Sequence, residues 1–294
     1  MRLWASAGLT AVLHVMPMPA WLPQEGGDMT EISSLQNMRI KQIRALRQRK
    51  EREASGRFFI EGLQLVSAAV TAGVIEQLVV APTILRSAHG RRLIAQAHGI
   101  PILHVTKEIL CVLAGRDNIQ GLGAVVRQQW APLPHPGSRC WIVLEGIQYP
   151  GNLGTILRTA DAIDAAGVIL VGPSADPYDP AAVRASTGAI FSRSLVRCSL
   201  AELTRWQKHH GLSLIGATPD GAIDFRAAAY HAPLALVFGS EGAGITPELR
   251  ASCTTTVHIP MAGRCDSLNL AIAASLVLYE VFRRQPGDAN AKVQ

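Results

Sequence analysis

Five polar side chains lie in three loops of the second half of the chain, and they are the residues best placed to do chemistry. Asn152 and Arg158 come after one apolar run, Glu241 after a later one, and Ser267 and Asn269 after the last. In open α/β sheets, ligands bind at the carboxyl ends of the strands. The spacing therefore predicts that the three loops meet at one site.

The residue types restrict the chemistry of that site. Ser267 has no histidine or lysine near it in sequence, so a hydrolytic triad is not favoured, and His258 before the last loop is typical of a structural histidine. The glycines at 239, 242 and 244 form neither a dinucleotide fingerprint nor a phosphate loop followed by lysine. No cysteine or histidine spacing predicts a metal site. We therefore expect a site whose side chains position and polarise a substrate while a cofactor supplies the reactive group.

The elements that must position these loops alternate between strand and helix. Five nearly continuous apolar runs in the second half predict buried parallel strands. They are CWIVLEG, GVILVGP, SLIGATP, ALVFGSEG and TTTVHIPM. The segment LNLAIAASLVLYEVFRR predicts a long helix with apolar residues nearly all round, which a second subunit could cover.

The first half alternates in the same way and predicts a small, mostly parallel α/β layer. Residues 131–139, APLPHPGSR, contain three prolines and predict a linker between two domains, residues 38–130 and 140–294.

The positive charge is concentrated in residues 39–52. The chain has a formal net charge of +6, and this segment alone has seven basic residues against the one acid Glu51. The basic residues are Arg39, Lys41, Arg44, Arg47, Arg49, Lys50 and Arg52. Ile40, Ile43 and Leu46 recur at helical spacing, which predicts a helix with one packed stripe. A solvated helix without a partner is one interpretation, but we favour a surface for nucleic-acid phosphates, and a membrane-surface helix is less favoured.

The N-terminal 37 residues predict an extension outside the fold. Residues 4–22 are apolar enough for a signal peptide, but prolines and His14 interrupt them. A start assigned too early, with translation from Met29 or Met38, explains them better. The five scattered cysteines favour reduced core residues and a cytoplasmic protein.

Three segments together resemble the motifs of a known family. NLGTILRTAD, FGSEGAGITPEL and IPMAGRCDSLNLAIAASLVLYE are similar to motifs one, two and three of the SpoU/TrmH methyltransferases, a branch of the SPOUT superfamily. The similarity covers about residues 140 to 284. It implies an α/β fold: a C-terminal parallel-sheet domain with a trefoil knot, preceded by a small α/β RNA-binding domain. It also implies a homodimer with the active site at the interface.

The resemblance implies roles for single residues. Arg158 matches the catalytic arginine, with Asn152 positioning it, and Glu241, Ser267 and Asn269 complete the polar set. The residues implied for cofactor binding are Thr218, Gly239, Ile259 and Leu268. Three positions depart from the common motifs, namely Glu145, Tyr149 and Asp266.

The function implied is methyl transfer from S-adenosylmethionine to a ribose 2′-hydroxyl of RNA, without a metal. Ribosomal RNA is favoured over transfer RNA, and no membrane partner is expected. Two alternatives stay open: a knotted base methyltransferase, and an RNA-binding protein with an inactive methyltransferase-like fold. Whether Arg158 acts as a base or as an electrostatic positioner also stays open, as does self-protection against a ribosome-targeting antibiotic.

Overall fold

The computed structural model describes residues 31–284, in two β-sheets with helices on both. The expectations for residues 1–30, including the signal peptide and a start at Met29, lie outside the described residues. Met38 is the first residue of helix α1, whose N-cap Asn37 accepts a hydrogen bond from the Arg39 backbone at 2.9 Å.

The first sheet has four strands in the order β1-β4-β2-β3. The elements of this half are α1 (Met38–Ala45), α2 (Arg49–Ser55), β1 (Arg57–Glu61), α3 (Leu63–Ala72), β2 (Ile75–Val80), α4 (Ala88–Gln96), β3 (Ile102–His104), α5 (Lys107–Ala114) and β4 (Leu122–Arg127). The predicted basic helix is therefore two helices with a break at residues 46–48.

The prediction of a mostly parallel first layer is wrong. Strand β4 lies between β1 and β2 and is antiparallel to both, and only β2 and β3 pair in parallel. Residues Leu122–Val126 are buried throughout, as a central strand requires. The alternation of strands and helices along the chain predicts how many elements there are. It does not predict that the last strand inserts between two earlier ones. Gly123 permits the insertion, since a Cβ there would lie 2.8 Å from the Ile60 carbonyl oxygen.

The helices of this half cover opposite faces of the sheet. Helices α1 and α5 pack on Val79 and Val125, and Ile40 and Ile43 are buried there as the stripe predicted. Helices α3 and α4 pack on the other face, in a core that continues into the second sheet. This division decides which basic surface can lie near the site.

The second sheet has seven strands, all parallel, in the order β7-β6-β5-β10-β8-β11-β9. Its elements are β5 (Trp141–Glu145), α6 (Pro150–Ala162), β6 (Gly167–Val171), α7 (Pro180–Ser186), β7 (Ser194–Cys198), α8 (Leu200–His210), β8 (Ser213–Ala217), β9 (Ile223–Asp224), β10 (Leu234–Phe238), α9 (Pro247–Ser252), β11 (Thr255–His258) and α10 (Leu270–Arg284). The five predicted parallel strands are confirmed. Strands β7 and β9 were not predicted, because β7 mixes apolar residues with the polar Ser194 and Arg197, and β9 has only two residues.

The proline-rich segment is fixed to the second sheet along its length. Ala131 bridges to Val196 in parallel, and the indole N–H groups of Trp206 and Trp141 donate to the Pro134 and Pro136 carbonyls at 2.6 and 3.0 Å. Prolines cannot donate backbone hydrogen bonds, so the tryptophans use their carbonyl oxygens instead.

Within residues 31–284, no helix is both long and apolar enough to cross a membrane.

Candidate active site

A cavity of about 500 Å³ opens at the carboxyl ends of the parallel strands, and we call it the strand-end cavity. It lies where β5, β8, β10 and β11 end, which is where ligands bind in open α/β sheets. Of the residues predicted for the site, eight line it. They are Asn152, Thr218, Gly239, Glu241, Ile259, Ser267, Leu268 and Asn269. The second half thus brings its three loops together as the spacing predicted.

A chain of hydrogen bonds joins all three loops at this cavity. The Asn152 amide donates to Glu241 Oε1 at 2.9 Å, and the Asn269 amide donates to Asn152 Oδ1 at 3.2 Å. Asn269 Oδ1 in turn accepts from the Ala271 backbone N–H at 2.9 Å, in the first turn of α10. Asn269 therefore caps a helix and fixes Asn152 at the same time.

Glu241 is held as a carboxylate. Burial opposes its ionisation, but hydrogen bonds from the Asn152 amide and from the backbone N–H groups of Gln148 and Tyr149 outweigh burial, so the pKa of Glu241 lies below its usual value. An ionised acceptor with a low pKa is suited to orienting Asn152 and poorly suited to proton transfer.

Glu145, a departure from the common motif, has a structural role. Its carboxylate accepts from the backbone N–H and the hydroxyl of Thr246, both at 2.8 Å, at the N-terminus of α9. The second departure, Tyr149, is 60% exposed at the rim of the cavity, and the third, Asp266, also lines it.

The walls of the cavity suit a cofactor held through backbone groups. A Cβ on Gly239 would lie 1.9 Å from the Gly244 carbonyl carbon, so only glycine allows this loop to close. The Thr218 hydroxyl is buried beside the cavity and makes no hydrogen bond of good geometry among the described residues, although the Asp220 carboxylate lies near enough to interact with it. Because a buried hydroxyl is costly to leave unpaired, it marks a position for a ligand polar atom. These features fit S-adenosylmethionine, which the resemblance implied.

Arg158 does not line the strand-end cavity. It is exposed on α6, six residues after Asn152, and six residues turn the helix by about 240°. It lines a separate groove against α3, and neither an ion pair nor a hydrogen bond engages its side chain within the described part of the chain. Within one chain Asn152 bonds to Glu241 and Asn269, so its positioning of Arg158 stays a prediction.

The basic segment includes one arginine that cannot contact RNA. Arg52 is 2% exposed and pairs with Asp176 at 2.7 Å, and its guanidinium also donates to the Leu46 and Arg47 carbonyls. Its prediction as an RNA contact is wrong, because Arg52 is the buried residue of α2 and faces the loop after β6, where Asp176 lies. The other six predicted RNA contacts are at least partly exposed, and they are Arg39, Lys41, Arg44, Arg47, Arg49 and Lys50.

The remaining candidates for chemistry have structural surroundings. His258 Nδ1 lies 2.8 Å from the Gly221 carbonyl oxygen, as expected of a structural histidine. Burial raises the pKa of the Cys140 thiol to about 12, and Cys140 and Cys198 are buried as core residues. Among residues 31–284, no group of three or more histidine, cysteine, aspartate or glutamate side chains is placed to hold a metal ion.

Two features of the site were missed from sequence. The backbone N–H groups of Gln148 and Tyr149 hold Glu241, and no sequence pattern marks backbone donors. The groove beside Arg158 includes Gln64, His89 and Gln120 from the first half of the chain. One signal could have indicated it: between Glu76 and Glu108 the chain has no acidic residue.

Comparison with known proteins agrees with this geometry. The SpoU rRNA Methylase family model matches residues 139–279, and the MRM3-like substrate binding domain model matches residues 37–124. An uncharacterized tRNA/rRNA methyltransferase of Synechocystis is 34% identical over 265 residues, or 88% of this chain and 95% of that protein.

Two further relatives extend the similarity over both halves. A 23S rRNA (guanosine(2553)-2′-O)-methyltransferase of Bacillus subtilis is 27% identical over 86% of this chain and 99% of its own length. The crystal structure of an AdoMet-bound rRNA methyltransferase from Sinorhizobium meliloti has a TM-score of 0.80 and 37% identity, over 86% of this chain and 97% of that one. The fold and the matches define an RNA methyltransferase. The chain belongs to the SpoU rRNA methylase family.

Proposed function

We propose that this protein transfers a methyl group from S-adenosylmethionine to a ribose 2′-hydroxyl of RNA. The observation that carries the proposal is the hydrogen-bonded chain Asn269–Asn152–Glu241 beside the buried Thr218 hydroxyl, all on one cavity of about 500 Å³. When bound, S-adenosylmethionine would supply a methyl group already activated on a sulfonium and would leave as the neutral thioether, while the ribose hydroxyl proton would pass to water. The backbone of the Gly239 loop, with Thr218, Ile259 and Leu268, would hold it.

We also propose that a second copy of the chain completes the site. Arg158 does not reach the strand-end cavity of its own chain, and no lysine or arginine among residues 31–284 lines that cavity. Helix α10 exposes an apolar stripe of Ile272, Leu276 and Tyr279, which are 54%, 43% and 51% exposed. The stripe lies beside α6, where Thr159 and Ser275 are joined by a 2.9 Å hydrogen bond. A dimer formed on this surface would cover the stripe and place Arg158 toward the partner's cavity.

Arg158 acts in this proposal as a positioner and electrostatic stabiliser. A guanidinium stays protonated in proteins, so it donates rather than accepts protons. Bidentate hydrogen bonds to an RNA phosphate would fix the ribose, and the positive charge would lower the cost of negative charge on the attacking oxygen. Glu241 and Asn269 keep Asn152 in place, and Ser267 supplies a hydroxyl on the same wall.

The proposed division of labour follows the two sheets. Residues 38–130 would bind the substrate RNA, residues 131–139 would connect, and residues 140–294 would carry methyl transfer in a knotted parallel-sheet domain of a cytoplasmic protein. We propose ribosomal RNA as the substrate, supported by the Bacillus subtilis relative, whose name specifies 23S rRNA and 2′-O-methylation.

The test uses purified protein, methyl-labelled S-adenosylmethionine, and separate pools of unmodified ribosomal and transfer RNA. Nuclease digestion then locates the label on ribose or base. We expect label on ribose in the ribosomal pool. Label on a base would identify a base methyltransferase. A protein that neither binds S-adenosylmethionine nor labels either RNA pool would contradict the proposal that this site is enzymatic.

A further inference from the structure

A second, larger concavity lies between the two sheets, and we call it the α3–α6 groove. Its volume is about 860 Å³, within the range of about 300–1,000 Å³ typical of ligand sites. One wall comes from the first half of the chain, with Gln64, Ser67, His89 and Gln120. The other wall comes from α6 and the turn after α7, and includes Arg158.

The two walls are fixed relative to each other at the floor of the groove. The Gln64 amide donates to the Thr187 carbonyl at 3.1 Å. Gly188 has φ of 106°, and a Cβ there would lie 3.1 Å from the Cβ of Ala68, so the two halves are in close contact. The groove is therefore a preformed feature that does not need domain closure.

The charge of the groove favours an anion. Arg158 is unpaired among the described residues, whereas the neighbouring Asp161 pairs with Arg193 at 3.0 Å, which also pairs with Asp164, and accepts from the Ser192 hydroxyl at 2.6 Å. His89 extends the groove along α4. Three exposed arginines lie within three residues of His89 in sequence, namely Arg86, Arg91 and Arg92.

We propose that the α3–α6 groove binds an unpaired stretch of RNA next to the nucleotide that is methylated. The inference rests on the proposed function. Arg158 would bind a phosphate, and the amide and hydroxyl groups of Gln64, Ser67 and Gln120 would bind ribose and base edges. Single-stranded RNA leaves those base edges free for side chains to bind, whereas in an A-form duplex the bases are paired and stacked.

This route differs from the one that the charge pattern predicted. Helix α1, with Arg39, Lys41 and Arg44, packs on the opposite face of the first sheet, together with α5. The surface continuous with Arg158 is that of α3 and α4. In this proposal α1 provides general attraction for RNA, and the groove sets which segment reaches Arg158.

The test compares Ser67→Glu with Thr71→Glu in the full-length protein. Both residues lie on α3 one turn apart, but only Ser67 lines the groove, and Thr71 is exposed outside it. The probes are a fluorescent single-stranded oligouridylate and an RNA duplex of the same length. A like charge facing a phosphate is strongly unfavourable, so Ser67→Glu should raise the Kd for oligouridylate about tenfold or more. Thr71→Glu should leave that Kd nearly unchanged.

Equal affinities of the two variants for oligouridylate would overturn the proposal. So would a result in which Ser67→Glu weakens binding of the duplex as strongly as binding of the single strand. Unchanged thermal unfolding of both variants guards against a folding defect. The binding experiment needs no methyl transfer. If the wild-type protein methylates no RNA while Ser67→Glu still weakens oligouridylate binding, the proposed function is wrong and the groove proposal stands. If the wild-type protein methylates ribose while Ser67→Glu leaves oligouridylate binding unchanged, the groove proposal is wrong and the proposed function stands.

Discussion

At the scale of single residues, the site depends on side chains that do two jobs. Asn269 caps α10 through Ala271 and also donates to Asn152, so helix formation and site geometry are coupled. Glu241 is held ionised by three hydrogen-bond donors, and one of them is the amide of Asn152, so the carboxylate also orients Asn152. Arg158, by contrast, is exposed and unpaired in the described part of the chain, which suits a residue whose partner is a substrate.

Arg158→Ala should lower the rate of methyl transfer by at least about a hundredfold, because removing one electrostatic donor from a preorganised site has that effect. The Kd for S-adenosylmethionine should not change, since Arg158 lies outside the strand-end cavity. Single-turnover kinetics and calorimetry measure the two quantities. Equal loss of both would show that Arg158 supports the fold rather than the reaction.

Gly239→Ala should abolish S-adenosylmethionine binding and destabilise the protein by about 1–3 kcal/mol, because the new methyl group would overlap the backbone of Gly244. Gly242→Ala in the same loop is the matched control, since nothing lies within 4 Å of a Cβ there. Calorimetry and chemical denaturation measure both effects. If the two variants behave alike, the close approach at Gly239 does not govern the site.

At the scale of elements, α10 shows what its sequence requires. Ala274, Val277, Leu278 and Val281 are buried, and the opposite stripe of apolar side chains is left exposed in one chain. Its C-terminal end is anchored by Arg284, which donates to Glu280 at 2.6 Å and to the Ala228 carbonyl at 2.8 Å. The helix is thus rigid enough to present the stripe as an interface.

Leu276→Asp should convert the proposed dimer to monomer, because a charge at the centre of an apolar interface is costly to bury. Methyl transfer should be lost with the dimer, while the monomer still binds S-adenosylmethionine. Sedimentation at several concentrations measures the state. Thr71→Asp on α3 is the control for an added exposed charge, and a Leu276→Asp protein that stays dimeric would place the interface elsewhere.

Mixed dimers distinguish a shared site from a merely adjacent one. In a shared site, Arg158 of one chain acts at the Gly239 loop of the other, so a dimer of one Arg158→Ala chain and one Gly239→Ala chain has one intact site of two. Refolding the two variants together makes half of the dimers mixed, so about a quarter of wild-type activity should return. If each site belonged to one chain, the mixture would stay inactive.

At the scale of the whole molecule, the two sheets form one packed body. Phe58 of the first sheet contacts Tyr178 and Phe191, which lie in the segments between the strands β6 and β7 of the second sheet, with ring centroids 4.8 and 6.0 Å apart. The Tyr178 hydroxyl donates to the Gln129 carbonyl at 2.6 Å. The buried pair of Arg52 and Asp176 joins the same two regions, so the orientation of the α3–α6 groove is built into the core.

Arg52→Ala should lower the free energy of unfolding by about 3–5 kcal/mol, because it leaves Asp176 buried without its partner. The exposed neighbour Lys50 provides the control, and Lys50→Ala should change stability by less than about 0.5 kcal/mol. Urea denaturation followed by tryptophan fluorescence measures both. A small effect of Arg52→Ala would mean that water replaces the guanidinium and that the contact between the sheets is weaker than its burial indicates.

The sequence by itself determined the parallel sheet, because strands covered on both faces must be apolar throughout, and it determined the three loops, because strand ends in such a sheet meet at one edge. It also predicted the apolar helix α10 and the packed stripe of Ile40 and Ile43. Only the tertiary structure decided that β4 inserts antiparallel, that Arg52 turns inward, and that Arg158 faces a groove instead of the cavity. Those outcomes depend on which surfaces meet across more than a hundred residues, as Arg52 and Asp176 do. Local periodicity carries no record of such contacts, since it reflects only whether a residue is buried and not what buries it.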